Sequence, residues 1–157
     1  MSFKIVRFTA ADLPEYRSWY EDPELNERLG PPVDQEWLDC VMDLTDGCEY
    51  SVFDDSVLVA VVGIWFPTAE HPRYTISDLA VKPQLRGRGI GSRALAGLMR
   101  LHRLDPGQSW AAHVHVGNPR AKSFLEKHGW VCQCAVPDDH GYLELTFSGS
   151  DQEMDNV

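Results

Sequence analysis

Apolar and polar positions change their period several times along the chain, and each change marks an element. Phe3 to Phe8 alternates and reads as a first strand. Thr9 or Asp12 can cap the helix that follows, with Leu13, Tyr16, Trp19 and Tyr20 on one stripe and Pro14 in the tolerant first turn. Glu21 to Gly30 is a short second helical stretch, stopped by Gly30-Pro31-Pro32, and Asp34 caps a helix from Gln35 to Leu44 that turns Trp37, Leu38 and Val41 inward. Glu49 to Phe53 and Val57 to Phe66, joined by Asp54-Asp55-Ser56, form a hairpin. After a loop, the β-branched and aromatic run Tyr74 to Val81 is a strand ended by Pro83. Ala94, Leu95, Leu98, Met99 and His102 then recur at helical spacing, with Arg93, Arg100 and Arg103 on the other side.

Past the turn at Asp105-Pro106-Gly107, Ser109 to Val116 is a strand that points Val114 and Val116 to one face and His113 and His115 to the other. Asn118 caps a helix with Pro119 at its first position, Ala121, Phe124 and Leu125 inward, and Gly129 as its stop. Val131 to Val136 and Tyr142 to Phe147 complete the sheet as a pair. Strands and helices in this order describe an α/β fold. Ser148 to Val157 holds three acids and no base, so residues 1–147 are expected to form a single domain and 148–157 a disordered acidic tail.

Composition narrows the class without naming it. A chain of 157 residues with 43% apolar and 24% charged residues can bury a core without disulfides or metals. Cys40, Cys48, Cys132 and Cys134 lack zinc-site spacing, so free thiols and no metal are expected. The longest apolar run, Val57 to Phe66, is too short to span a bilayer, and the N-terminus lacks a signal peptide's apolar centre. No membrane partner and a cytoplasmic location are therefore expected.

Charge is divided unevenly. Residues 1–55 contain 14 acids and 4 bases, while residues 79–104 carry Lys82, Arg86, Arg88, Arg93, Arg100 and Arg103 with no acid. An acidic remainder repels nucleic acid over most of the surface, so none is expected as a partner, and it suits a cationic substrate such as an amine.

The run Arg86-Gly87-Arg88-Gly89-Ile90-Gly91 stands between a strand and a basic helix. The first turn of a helix has N–H groups without intrahelical partners, and glycines let a phosphate approach them. A nucleotide P-loop is excluded because no Lys follows Gly91, and the dinucleotide fingerprint is weak because Ser92 stands where its third glycine belongs. The pattern R/Q-x-x-G-x-G/A is met by Arg86, Gly89 and Gly91, and Asn118 to Trp130 matches N-x-x-A-x-x-F/L-Y/L-E-K-x-G-F/W. On these two motifs, across Ile5 to Phe147, the chain resembles the GNAT superfamily of N-acetyltransferases.

The resemblance implies a mixed, mostly antiparallel sheet of about six to seven strands flanked by about four helices. It implies acetyl-CoA as donor, its pyrophosphate on the backbone from Gly87 through Arg88, Gly89 and Ile90 to Gly91, with Arg86 and Ser92 alongside. The backbone of Leu79, Ala80 and Val81 would pair with the pantetheine arm, and Asn118 would contact it from the other side. The segment between the first two strands lies over the acceptor in such proteins, which nominates Tyr16, Trp19, Tyr20, Glu21, Glu24 and Trp37. His115 joins them on the strand face of His113.

His113 stands where some relatives carry a catalytic Glu, and an imidazole with a pKa of about 6.5 suits a general base; Asp78 on the central strand is the other candidate. Leu125 occupies the place of the tyrosine that many relatives use as general acid. The expected reaction is acetylation of a primary amine, on a small molecule or a peptide N-terminus, by direct attack. The alternative is a non-catalytic acyl-CoA sensor. Homodimers are frequent among such proteins, and the last strands offer an edge for one.

Overall fold

In the computed structural model, which describes residues 2–148, β1 (Phe3–Arg7) is followed by α1 (Leu13–Ser18), α2 (Pro23–Leu29) and α3 (Gln35–Met42). Next come β2 (Gly47–Asp54), β3 (Val57–Trp65) and β4 (Arg73–Val81), then α4 (Ile90–Leu101), β5 (Ser109–His115), α5 (Pro119–Lys127), β6 (Val131–Cys132) and β7 (Tyr142–Ser148). The seven strands form one sheet in the order β1-β2-β3-β4-β5-β7-β6. β4 and β5 pair in parallel, as strands joined through a crossover helix can, whereas β1–β2, β5–β7 and β6–β7 are antiparallel. The fold is therefore the mixed, mostly antiparallel α/β sheet with flanking helices that the motifs implied.

Side chains placed at the helix starts explain where the helices begin. The Asp22 carboxylate accepts from the Leu25 N–H at 3.0 Å, that of Asp34 from the Trp37 N–H at 2.9 Å, and the Asn118 carbonyl oxygen from the Ala121 N–H at 3.3 Å. Pro23 and Pro119 occupy early helical positions that lack an intrahelical acceptor in any case. The first helix is shorter than its apolar stripe suggests. Single 3-10 turns at Ala10–Asp12 and Trp19–Glu21 flank it, and Asp22, which precedes Pro23, is driven to ψ 122° and ends it.

The chain separates into two compact units. Among the described residues, the first comprises residues 2–64 together with Asp78–His102; the second comprises Trp65–Ser77 and residues 103–148. In the first, Phe8, Tyr16, Trp19, Tyr20, Leu25, Leu38, Leu58, Val61 and Ala80 form a core cluster. On α4, Ala94, Leu95 and Leu98 are buried, as the helical period requires. Gly97 lets this helix close on β1, since a Cβ there would lie 2.7 Å from Ile5 Cδ1. In the second unit, Trp110, Val114, Leu125, Trp130, Leu143, Leu145 and Phe147 are buried. The Trp110 ring stacks on Tyr74 with centroids 4.8 Å apart.

Two sequence expectations are corrected at the C-terminal end. β6 pairs over Val131–Cys132 only, not to Val136, because the chain bends after Gln133 toward Pro137, which has no N–H to give a ladder. Ser148 closes β7, opposite Ser109, and so belongs to the sheet; the rest of the expected acidic tail lies outside the described residues. All four cysteines are free, and no helix among the described residues is long and apolar enough to cross a membrane.

The packing of α4 gives a direct stability test. Leu98 is 0% exposed and Leu101 is 52% exposed. Leu98→Ala is expected to cost about 2–5 kcal/mol in urea unfolding and Leu101→Ala under about 1 kcal/mol. Equal losses would contradict this placement of the helix.

Candidate functional site

β4 ends at Val81, a 3-10 turn covers Pro83–Leu85, and the chain enters α4 through Arg86–Gly89. Gly87 and Gly89 have φ of 79° and 78°, the left-handed region that side-chain-bearing residues avoid. Gly89 is the N-cap of α4 and provides no side-chain cap. A Cβ at either glycine would meet nothing within 4 Å, so the backbone is open on that side. The N–H groups of the first turn of α4 and its positive dipole end therefore face space that an anion can occupy. Ile90 anchors the turn in the core, Gly91 and Ser92 lie within its first residues, and Arg88 is exposed beside it.

Arg86 is engaged elsewhere. Its Nη2 lies 2.8 Å from Asp22 Oδ2 and its Nη1 3.4 Å from Glu24 Oε2. Asp22 thus caps α2 and holds Arg86 at once. The Arg86 hydrogen bond, helped by the Leu25 N–H, keeps the Asp22 carboxyl below its ordinary value, and the same bond raises the Arg86 guanidinium. Lys82 is held similarly, its Nζ 2.8 Å from Glu15 Oε1, which also accepts from Trp19 Nε1 at 3.1 Å. The bond from Lys82, then that from Trp19, lowers the Glu15 carboxyl. Arg93 lies over the Phe3 ring at 4.1 Å from its centroid. The basic stretch is consequently not one anion patch, because part of it neutralises the acidic N-terminal helices.

Next to the Arg86 pairs, Trp19, Glu21, Asp22, Pro23, Pro83 and Gln84 line an open cleft of about 410 Å³. Glu21 and Glu24 are exposed here. The aromatic candidates are packed instead. Tyr20 is 7% exposed and its hydroxyl donates to that of Tyr16 at 3.0 Å. The half-buried Trp37 lies edge-on to Phe8 with centroids 5.3 Å apart. Tyr16, Trp19, Tyr20 and Trp37 therefore hold the N-terminal helices to the core, as aromatics at helical spacing commonly do.

Asp78, Leu79, Ala80 and Val81 form the end of β4, with Ala80 in the core cluster. Asp78 is hydrogen-bonded to Glu49 of β2, and its charge acts on Tyr16 and Tyr20. Burial first, and then Asp78, push the Tyr16 hydroxyl far above its ordinary value, so it stays a phenol. Reading the sequence did not single out Glu49. Its signal is that β2 is buried continuously from Glu49 to Val52, so an acid inside it needs a reason.

The remaining candidates belong to the second unit. His113 is 47% exposed, with Nε2 3.8 Å from Glu144 Oε2, and Glu144 also pairs with Arg73. The His115 ring accepts from the Gly117 N–H at 3.0 Å and meets the Tyr142 ring edge-on at 5.3 Å, so it is occupied in shaping the end of β5. The Asn118 carbonyl oxygen is taken by its capping bond, and its own N–H donates to the His115 carbonyl at 2.8 Å.

A family model described as the acetyltransferase (GNAT) family matches residues 13–130. No curated protein matches the chain in sequence. Among solved structures, the chain is similar to an acetyltransferase from Thermus thermophilus, with 20% identity and a TM-score of 0.77 over 94% of this chain and 97% of that one. It is similar to a spermidine N-acetyltransferase from Vibrio cholerae in complex with CoA and spermine, with 16% identity and a TM-score of 0.74 over 94% and 96%. An aminoglycoside acetyltransferase in complex with coenzyme A and kanamycin shares 17% identity with a TM-score of 0.82, over 99% and 100%. At such identities these structures bear on the fold.

The double use of Asp22 has a measurable consequence. Its folded pKa lies below the ordinary 3.8, so the stability it contributes is complete above that value and lost as pH falls through the folded one. A double-mutant cycle between Asp22→Asn and Arg86→Gln in urea unfolding should give a favourable coupling at pH 7 that fades as pH falls below the ordinary 3.8. Additive effects at pH 7 would remove the tether.

Proposed function

The chain belongs to the acetyltransferase (GNAT) family, and we propose that it moves the acetyl group of acetyl-coenzyme A to a primary amine by direct attack of the amine nitrogen on the thioester carbonyl. The observation that carries this reading is the open, left-handed backbone at Gly87 and Gly89, which opens a twelve-residue helix without a side-chain cap. The N–H groups from Gly87 to Gly91 take the donor's pyrophosphate, with the exposed Arg88 and the Ser92 hydroxyl beside them. The backbone of Leu79 to Val81 pairs with the pantetheine arm and turns an N–H toward the thioester oxygen, where negative charge grows during attack.

An amine acceptor suits the exposed Glu21 and Glu24 beside the cleft and the 14 acids among residues 1–55. Structural neighbours hold coenzyme A together with spermine or with kanamycin, and a small molecule carrying primary amines is the acceptor class we assign. We assign the general base to Asp78. It stands in the same unit as the glycine turn, whereas the carboxylate nearest His113 is already bound by Arg73. As the nitrogen bonds to the carbonyl carbon, its N–H becomes acidic enough for a carboxylate, and the C–S bond breaks. Leu125 is buried and has no proton to give. The thiolate therefore takes its proton from water, at modest cost because a thiol pKa is about 8.5.

Two measurements test this reading. Titration calorimetry is expected to give a Kd for acetyl-coenzyme A of about 10 μM or tighter, and Gly89→Asp to weaken it by more than about tenfold, since Asp brings negative charge and backbone strain to the turn. No measurable binding would reject the donor site. For the base, kcat/KM should fall at acid pH; Asp78→Asn should lower it at least about a hundredfold and abolish that limb, while His113→Ala leaves the limb in place. The reverse pattern would transfer the role to His113.

A further inference from the structure

One buried group takes no part in the chemistry above. Glu49 on β2 is 6% exposed, and its backbone is fixed in the sheet, its carbonyl accepting from the Phe8 N–H at 2.8 Å. Its carboxyl is hydrogen-bonded to Asp78 of β4, while its Oε1 has no partner among the described residues. The titratable groups around it are Asp78, Cys48 on its own strand, Tyr16 of α1 and Tyr20 in the turn after α1. Every one of them is an acid, and among the described residues none brings a positive charge to it.

Two bare carboxylates cannot hydrogen-bond to each other, because each offers only acceptors. A bond between them requires a proton, and the more buried member is the one that loses most by ionising. We propose that Glu49 is a positioning residue, which keeps its proton at neutral pH and donates it to the Asp78 carboxylate, orienting that carboxylate for catalysis. The proposal rests on the assignment of Asp78 as base. It also accounts for a carboxyl group buried next to Tyr50, Ser51 and Val52, which are buried as well.

Glu49's proton has a thermodynamic signature that does not depend on turnover. Burial, followed by the charge of Asp78, pushes its carboxyl up to about 11, against an ordinary 4.5. A group raised in the folded state contributes stability that is complete below its unfolded value and lost as pH rises toward the folded one. Between those values the native protein holds a proton that the unfolded chain releases, so the folding equilibrium weakens by up to about tenfold per pH unit. Glu49→Gln has the same shape, donates an N–H to Asp78, and does not titrate.

The experiment follows wild type, Glu49→Gln and Glu49→Leu by urea unfolding from pH 6 to 9 and by kcat at neutral pH. Glu49→Gln should gain stability relative to wild type as pH rises, and a difference independent of pH would overturn the retained proton. Glu49→Gln should also keep the wild-type kcat, whereas Glu49→Leu, which removes the hydrogen bond to Asp78, should lower kcat by more than about tenfold. An undiminished kcat in Glu49→Leu, or a loss in Glu49→Gln equal to that in Glu49→Leu, would overturn the positioning role. Undiminished turnover in Asp78→Asn, with the stability slope intact, would overturn the base assignment alone and leave the buried proton standing.

Discussion

The left-handed backbone at Gly89 is the constraint on which the donor side of this molecule depends. It lets β4 turn into α4 with no side chain over the helix N-terminus, and it places first-turn amides on open space. A residue with a Cβ would meet no neighbour there, so the requirement for glycine is one of backbone conformation and of access for an anion. The rest of the first unit keeps that turn in position. Leu98 and Ala94 bury the helix, and Gly97 allows it to sit against Ile5 of β1.

The N-terminal helices are attached to the same turn by charge. Asp22 begins α2 and holds Arg86, and Glu15 on α1 holds Lys82, so the basic stretch and the acidic stretch meet as matched pairs. These pairs are partly exposed and contribute little each. Their consequence is geometric, since Arg86, at the start of the glycine turn, also pairs with Glu24 beside the cleft. The buried Tyr16, Tyr20 and Glu49 and the partly buried Asp78 form an acidic cluster, and the proton proposed for Glu49 belongs to it.

Much of this was legible in sequence because it is local. Asp34 and Asn118 announce their helices, the β-branched run to Val81 and the glycines after it announce the strand, turn and helix, and the period from Ala94 to Leu98 gives the buried face of α4. What was not legible depends on contacts between distant positions. Arg86 lies 64 residues from Asp22, and no spacing rule joins them. Glu49 reads as an ordinary polar position in a hairpin until β2 is seen to be buried on both faces. The stripe from Tyr16 to Tyr20 has the same period whether it meets a substrate or a core, and only packing shows that it meets the core.

The central claim is that an amine is acetylated at the expense of the thioester. The most direct measurement incubates the protein with acetyl-coenzyme A and spermine or kanamycin, and follows released thiol together with acetylated amine by mass spectrometry. The account predicts thiol and acetylated amine in equal amounts. Acetyl-coenzyme A bound and released intact, with no acetylated amine from any primary amine supplied, would contradict it.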